Sequence, residues 1–287
     1  MNKNLIITFT SFLLGCIVLA FFYNKLTQDP FSNSDDLKHR HQFIIAQAGS
    51  YVGFDLVDPA QAPLDIQKNV ERGYRLITNT PLYASNYVKN QLSCTNCHFS
   101  EGDTLGGRNS GISLVGVTTV YPSFSQRAGK VISLEARINS CFERSMNGLP
   151  LPENSQEMQD IVAYLKWISN EVSHIRNIPW LGLSYLKGTH KPNAVEGKKI
   201  YHIYCALCHK EGGQGGGRLM HSMQKQIPAL WGPNSFNDGA GMNTLPTLAA
   251  FIYWNMPQNN SVLSEEQALD VAAFILEKPR SHFNPIN

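Results

Sequence analysis

The chain has 287 residues and carries 24 Lys and Arg against 22 Asp and Glu, so its formal net charge is +2. This length suffices for one large domain or two small ones, and 43% hydrophobic residues can form a substantial core. A nearly neutral chain without a long Lys or Arg run is not expected to bind nucleic acid through bulk charge.

An apolar run at residues 5–23 predicts a segment that spans a membrane, because about 18 or more apolar residues can cross a bilayer. No A-x-A-like cleavage site follows it, which favours an uncleaved anchor over a removed signal peptide. The letters LLGC, ending at Cys16, resemble a weak lipoprotein box, although apolar residues continue after it. We assign residues 1–24 to an anchor or signal segment and residues 25–60 to a tether.

The first half of the remaining chain begins with a predicted helix over residues 65–77, whose apolar residues recur at helical spacing. It leads to CTNCH, a C-x-x-C-H motif typical of covalent heme attachment. In this motif the two thiols form thioethers and the histidine becomes the proximal ligand of the iron. A redox pair needs no such histidine, and the two Cys pairs are too far apart for usual zinc-ribbon spacing. We predict heme attachment at Cys94 and Cys97, with His98 as iron ligand.

The residues alone leave the sixth ligand of this iron open between two sulfurs. Cys141 has Arg137 four residues before it and Arg144 three residues after it, so all three would share a face of a helix. Neighbouring arginines favour the thiolate that binds iron. The alternative is Met146, which lies eight residues before Asn154, the predicted N-cap of the next helix.

The second half repeats the order of helix, C-x-x-C-H motif, long loop and helix. We predict a first domain at residues 61–173, a linker at 174–193 and a second domain at 194–287. The last helix is expected to start at Ser264, which has a capping partner three residues on, and to end before Pro279. The expected fold is mainly α, with two tandem class I cytochrome c-like domains after the N-terminal membrane-spanning or signal segment.

The motif CALCH predicts a second covalent heme c attached through Cys205 and Cys208, with His209 as proximal ligand. In the letters WNMP, Met256 precedes a proline shortly before the last helix, where small c-type cytochromes place an axial methionine. A His/Met iron has a raised reduction potential and suits electron transfer. We therefore favour Met256 over the remaining candidates, which are Met220, Met223 and Met242.

Both halves contain blocks that resemble the diheme c-type thiosulfate dehydrogenases, some of which work as tetrathionate reductases. The blocks are CTNCHF, YPSFSQRAG, LEARINSCFERSMNGLPLP, YLKWIS, CALCH and WNMP, and the resemblance covers roughly residues 60–280. It implies that the first heme has His and Cys ligands and is catalytic, whereas the second has His and Met ligands and passes electrons to a partner. Carried over by motif, Cys141 and Met256 become the two distal ligands.

The same resemblance implies that Arg127, Arg137 and Ser145 line the substrate pocket. The expected substrates are thiosulfate and tetrathionate, and guanidinium groups bind such oxyanions through paired, charge-assisted hydrogen bonds. The expected redox partner is one such as a small cytochrome c, and the expected location is the periplasm, with the N-terminal segment in the inner membrane. The apolar N-terminal segment departs from the pattern of this family, because many relatives have a cleaved signal peptide.

Three other functions predict different observations. A membrane-tethered diheme electron shuttle would use Met146 or a histidine such as His174 on the first heme and would not turn over thiosulfate. A thiosulfate-conjugating cytochrome would attach its substrate to a carrier protein. A diheme peroxidase would need an open heme face and would respond to peroxide.

Overall fold

The structure is a computed structural model that describes residues 43–47, 50–54, 58–173, 178, 180–219 and 222–285. The predicted N-terminal membrane segment, Cys16, His174 and Met220 lie outside these residues, and the side chain of Met223 is not described. Within the described part of the chain, no helix is long and apolar enough to cross a membrane.

The described secondary structure is mainly helical, with short antiparallel hairpins. The helices are α1 (Gln67–Thr78), α2 (Thr80–Tyr83), α3 (Val117–Val120), α4 (Leu134–Ser140), α5 (Gln156–Ile168), α6 (Ala194–Tyr204), α7 (Ala206–His209), α8 (Leu245–Asn255) and α9 (Glu265–Leu276). The strands are β1 (Phe43–Gln47), β2 (Ser50–Phe54), β3 (Ser123–Ser125), β4 (Lys130–Ile132), β5 (Arg218–Leu219) and β6 (Ser222–Gln226), paired as β1–β2, β3–β4 and β5–β6.

The helix starts follow from side-chain capping. Before α9, Ser264 and Gln267 form the predicted reciprocal capping box. Before α5, the predicted cap Asn154 is wrong by one residue, because Ser155 has the extended backbone and its hydroxyl accepts a hydrogen bond from Met158 N. The capping residue must hold its oxygen over the first turn, and only Ser155 does so.

Each half of the chain is built on a close crossing of its first and last long helices. A Cβ atom on Gly73 of α1 would lie 2.0 Å from the Asp160 carbonyl oxygen of α5, and one on Gly197 of α6 would lie 1.9 Å from the Asp270 carbonyl oxygen of α9. Aromatic rings pack beside both crossings, at 5.9 Å between the Tyr74 and Tyr164 centroids and 5.4 Å between Tyr201 and Phe274. The same construction therefore occurs twice, which agrees with the repeated order of elements in the sequence.

The first crossing gives a direct stability prediction. Gly73→Ala will lower the free energy of unfolding by about 1–3 kcal/mol, because the methyl group forces α1 away from α5. Gly188→Ala is the matched control, since its nearest neighbour is the tip of Glu265 at 3.4 Å. Urea unfolding of the heme-loaded protein measures both variants, and equal midpoints would contradict this packing argument.

Candidate heme and substrate sites

The first C-x-x-C-H motif is held on a tight turn that aligns its thiols and its histidine. Ser93 caps the 3₁₀ turn Cys94–Asn96, and His98 N donates to the Cys94 carbonyl at 2.9 Å. The His98 Nδ1 lies 2.8 Å from the Ile112 carbonyl oxygen, which can only accept, so the proton is on Nδ1 and Nε2 is left as the ligand atom. Burial lowers the pKa of His98 to about 4, which keeps the ring neutral as an iron ligand requires.

Cys141 lies close to the two thiols of this motif. Burial raises the pKa of both Cys94 and Cys97 to about 12, and the charge of Cys141 is a further cause at each of them. A Coulomb effect of this kind requires short distances through the protein. The fold therefore brings Cys141 to the first heme site across more than 40 residues of chain.

A π-helical turn positions the Cys141 side chain. Helix α4 passes directly into this turn, Cys141–Ser145, where Met146 N donates to the Cys141 carbonyl at 3.0 Å. The thiol is partly exposed, and Arg137 Nη1 donates to its Sγ at 2.9 Å. Such π turns occur frequently at functional sites, where the extra residue redirects a side chain.

Arg144, in the π turn itself, has partners of its own in the second domain. Arg144 Nη1 donates to the Gly239 carbonyl at 3.4 Å, and its guanidinium lies 4.3 Å from the centre of the Phe283 ring. The Arg144 side chain is therefore held by residues of the second domain, whereas that of Arg137 contacts the Cys141 sulfur directly.

Arg127 approaches the same region from the turn between β3 and β4. Burial, followed by the positive charges of Arg144 and Arg137, lowers the pKa of Arg127. The pKa of Arg137 is raised, chiefly by the charge of Cys141 and also by a hydrogen bond with Tyr121. These five side chains form a site that we call the arginine pocket, which consists of Tyr121, Arg127, Arg137, Cys141 and Arg144.

The second domain supplies part of the framework of the arginine pocket. The Gly239 carbonyl accepts from Arg127 at 3.2 Å as well as from Arg144, and so holds two cations side by side. Asn237 binds the π turn through a bond from its Nδ2 to the Glu143 carbonyl at 2.8 Å. Sequence reasoning missed these residues because nothing in a lone Gly or Asn marks a contact with another domain; Tyr121 lies inside a block that it did single out.

Ser145 is the last residue of the π turn that begins at Cys141. Its carbonyl accepts a hydrogen bond from Asn90 Nδ2 at 3.0 Å, and the same amide donates to the Ser235 carbonyl at 3.2 Å. The Asn90 amide therefore links the Ser145 backbone to that of Ser235 in the second domain.

The second motif lines a cavity of about 210 Å³. Its walls include Cys205, Cys208 and His209 together with Met256 and Met242, and most of the remaining lining is apolar. His209 Nδ1 lies 2.9 Å from the Pro228 carbonyl oxygen, the same arrangement as at His98, and burial lowers its pKa. Burial also raises the pKa of Cys205 to about 12.

The residues at both motifs fit a c-type heme. Each places two thiols beside a neutral histidine whose Nδ1 is engaged by a carbonyl, and each has a sulfur-bearing side chain nearby. The apolar cavity at the second motif suits a porphyrin ring. Cys97 and Phe99 of the first domain also line that cavity, so the two sites share a wall.

Comparisons with known proteins agree with this arrangement. A family model described as SoxA/TsdA, cytochrome c domain, matches residues 80–173. A second model, described as cytochrome c oxidase, cbb3-type, subunit III, matches residues 192–275. Each model covers one of the two C-x-x-C-H motifs.

Similar whole proteins are thiosulfate dehydrogenases. That of Allochromatium vinosum is 36% identical over 244 residues, which cover 84% of this chain and 90% of the relative. That of Stutzerimonas stutzeri is 32% identical, covering 99% of this chain and 87% of the relative. The solved structure of thiosulfate dehydrogenase TsdBA from Marichromatium purpuratum, as isolated, has a TM-score of 0.68 at 28% identity, and covers 75% of this chain and 47% of that longer chain.

The fold and the two motifs define a diheme cytochrome of the c type, which confirms the predicted class of mainly helical fold with two cytochrome c domains. The chain belongs to the SoxA/TsdA family of cytochromes, and within it to the thiosulfate dehydrogenases. The family resemblance drawn from the sequence blocks is thereby confirmed.

Proposed function

We propose that this protein interconverts two thiosulfates and one tetrathionate at a first heme ligated by His98 and Cys141. Electrons pass to a second heme ligated by His209 and Met256 and then to a small cytochrome c. The observation that carries this proposal is the 2.9 Å contact from Arg137 Nη1 to the Cys141 sulfur, beside the first attachment motif. A sulfur nucleophile that sits among guanidiniums suits a reaction between sulfur-rich anions.

The burial of the two candidate sulfurs supports Cys141 as distal ligand. Met146 is 2% exposed and is therefore enclosed by protein atoms. Cys141 is partly exposed, and its charge acts on Cys94 and Cys97 of the attachment motif. A ligand must present its sulfur to the iron, and Cys141 meets this condition better.

The cations of the arginine pocket would bind and align the substrates. Thiosulfate carries two negative charges, and a planar guanidinium can engage two of its oxygens at once. Arg127 and Arg144 are held on the Gly239 carbonyl, whereas Arg137 is oriented by the Cys141 sulfur. The fixed positions reduce the entropy cost of bringing two anions together.

The reaction then follows thiol–disulfide chemistry at Cys141. In the oxidative direction the Cys141 thiolate would form a bond to the outer sulfur of one thiosulfate, with the loss of two electrons to the acceptors. The outer sulfur of a second thiosulfate then attacks the outer sulfur of the first. The bond between that sulfur and Cys141 breaks, so tetrathionate forms and the Cys141 thiolate is released. When bound, the two hemes supply acceptors for one electron each. Tetrathionate reduction is the reverse sequence.

An assay of the purified, heme-loaded protein tests the activity. We expect thiosulfate oxidation with a one-electron dye as acceptor and tetrathionate reduction with a reduced dye as donor, without any carrier protein. Absence of both activities would exclude the proposed function. A requirement for a carrier protein would indicate a thiosulfate-conjugating cytochrome instead.

Exchange of Met256 tests electron delivery through the second heme. Met256→Gly should lower turnover with a small cytochrome c as acceptor by about tenfold or more, with the KM for thiosulfate unchanged, because the axial sulfur sets the potential of that heme. Met242→Leu is the matched control, since Met242 lines the same cavity. Loss of turnover in Met242→Leu alone would transfer the ligand role to Met242.

A further inference from the structure

We propose that Asn255 is a positioning residue that couples the distal loop of the second heme to the proximal histidine of the first, so that it helps to set the reduction potential of the first heme. The inference rests on the proposed ligation of the hemes by His98 and Met256. The coupling would adjust the reduction potentials of two one-electron hemes to each other for a two-electron reaction.

Asn255 is the last residue of α8 and directly precedes Met256. Its side chain is 0% exposed, and its Oδ1 accepts a hydrogen bond from Gly111 N of the first domain at 2.8 Å. Its buried Nδ2 has no hydrogen-bond partner among the described residues. A buried donor without a partner costs free energy. The hydrogen bond from Gly111 N to Oδ1 is the interaction that offsets this cost and favours Asn at position 255.

Asn255 is connected to His98 through the backbone of two residues, Gly111 and Ile112. Ile112 follows Gly111, and its carbonyl is the group that holds His98 Nδ1 at 2.8 Å. Ile112 N also donates to the Cys97 carbonyl at 2.9 Å. Gly111 has a φ of +69°, and a Cβ atom there would lie 2.6 Å from Phe99 N, so this segment lies directly on the attachment motif.

Three further hydrogen bonds join the same loops. Asn109 N donates to the Trp254 carbonyl at 2.7 Å, and Ser261 N donates to Asn109 Oδ1 at 3.1 Å. Arg108 donates to the Ser261 carbonyl at 2.6 Å. The loop that supports His98 is thus fastened on both sides of Met256.

The second heme provides an internal comparison. The carbonyl that holds His209 belongs to Pro228, and its loop is bonded within the second domain, from Gly216 N to the Ile227 carbonyl and from Leu230 N to the Gly213 carbonyl. The first domain reaches this loop through Asn96 Nδ2, which donates to the Gln226 carbonyl at 3.3 Å, but not through an axial loop. The two histidines have the same support, but the support of His98 is tied to the axial loop of the other heme.

The bond from a ligating histidine to a carbonyl controls the basicity of the ring and therefore the electron density on the metal. A strong bond stabilises the oxidised iron and lowers the reduction potential. When the Asn255 anchor is removed, the Gly111–Ile112 segment relaxes, the bond to His98 weakens, and the potential of the first heme rises.

Spectroelectrochemical titration of the heme-loaded protein tests the coupling. Asn255→Ala should raise the potential of the first heme by about 59 mV, which corresponds to a tenfold change in a one-electron equilibrium constant. Asn243→Ala is the matched control, because Asn243 adjoins Met242 in the second heme cavity and its amide donates to the Asp238 carbonyl in its own domain. An unchanged first heme in Asn255→Ala would overturn the proposal, even if the second heme shifts.

A milder variant keeps the test valid if Asn255→Ala does not load heme. Asn109→Gly retains the positive φ of this residue and deletes only its bond to Ser261 N. It should shift the first heme in the same direction by a smaller amount, and no shift would likewise overturn the proposal. Because the potentials are measured without substrate, failure of the proposed thiosulfate chemistry would leave this result unaffected.

Discussion

Cys141→Met will retain both hemes and lose thiosulfate–tetrathionate turnover by at least about a thousandfold. Both attachment motifs are untouched by the change, and a methionine can still supply a sulfur to the iron. A thioether, however, has no anionic form that can open or close a sulfur–sulfur bond. Heme staining and the absorption spectrum measure attachment, and dye-linked assays in both directions measure turnover.

Met146→Leu is the matched control for this variant. Met146 lies in the core, five residues from Cys141, and leucine conserves its volume, so we expect wild-type turnover and stability within about 1.5 kcal/mol. Full activity of Cys141→Met would remove the mechanism. Loss of activity in Met146→Leu with normal folding would assign the distal position to Met146.

Arg137→Gln will lower kcat/KM for thiosulfate by about a hundredfold. Its guanidinium donates to the Cys141 sulfur, and its charge is one cause of the lowered pKa of Arg127. The change removes a charge-assisted bond to the anion, worth about 1.5–3 kcal/mol, and also the group that orients the thiol. Arg137→Lys keeps the charge but not the planar fork, so it should restore part of the activity.

Lys130→Gln is the control that separates a specific role of Arg137 from a general effect of its positive charge. Lys130 is an exposed cation at the start of β4, on the same hairpin as Arg127. Its loss should change kcat/KM by less than about threefold at moderate salt, because exposed charges are screened. Equal losses in the Gln variants of Lys130 and Arg137 would reduce the arginine pocket to a diffuse positive surface.

The parts of this fold that depend on near neighbours in sequence could be predicted. The motif turns, the duplicated order of elements and the capping box at Ser264 are set by residues a few positions apart. The cap of α5 was misplaced by one residue because Asn154 and Ser155 are both good caps and only the backbone decides between them.

The framework of the candidate site could not be predicted, because it depends on long-range contacts. Arg144 meets Gly239 across 95 residues of chain, and Gly111 meets Asn255 across 144. The π turn at Cys141 likewise leaves no simple periodic signal in the sequence. The residues alone therefore left Cys141 and Met146 open, and the family resemblance and the burial of Met146 then favoured Cys141.

The electron paramagnetic resonance spectrum of the oxidised protein tests the central claim, ligation of the first iron by Cys141, most directly. The account predicts a low-spin ferric signal of the thiolate-ligated type, present in the native protein and in Met146→Leu and absent from Cys141→Met. A native spectrum with only nitrogen- or thioether-ligated low-spin signals would contradict it.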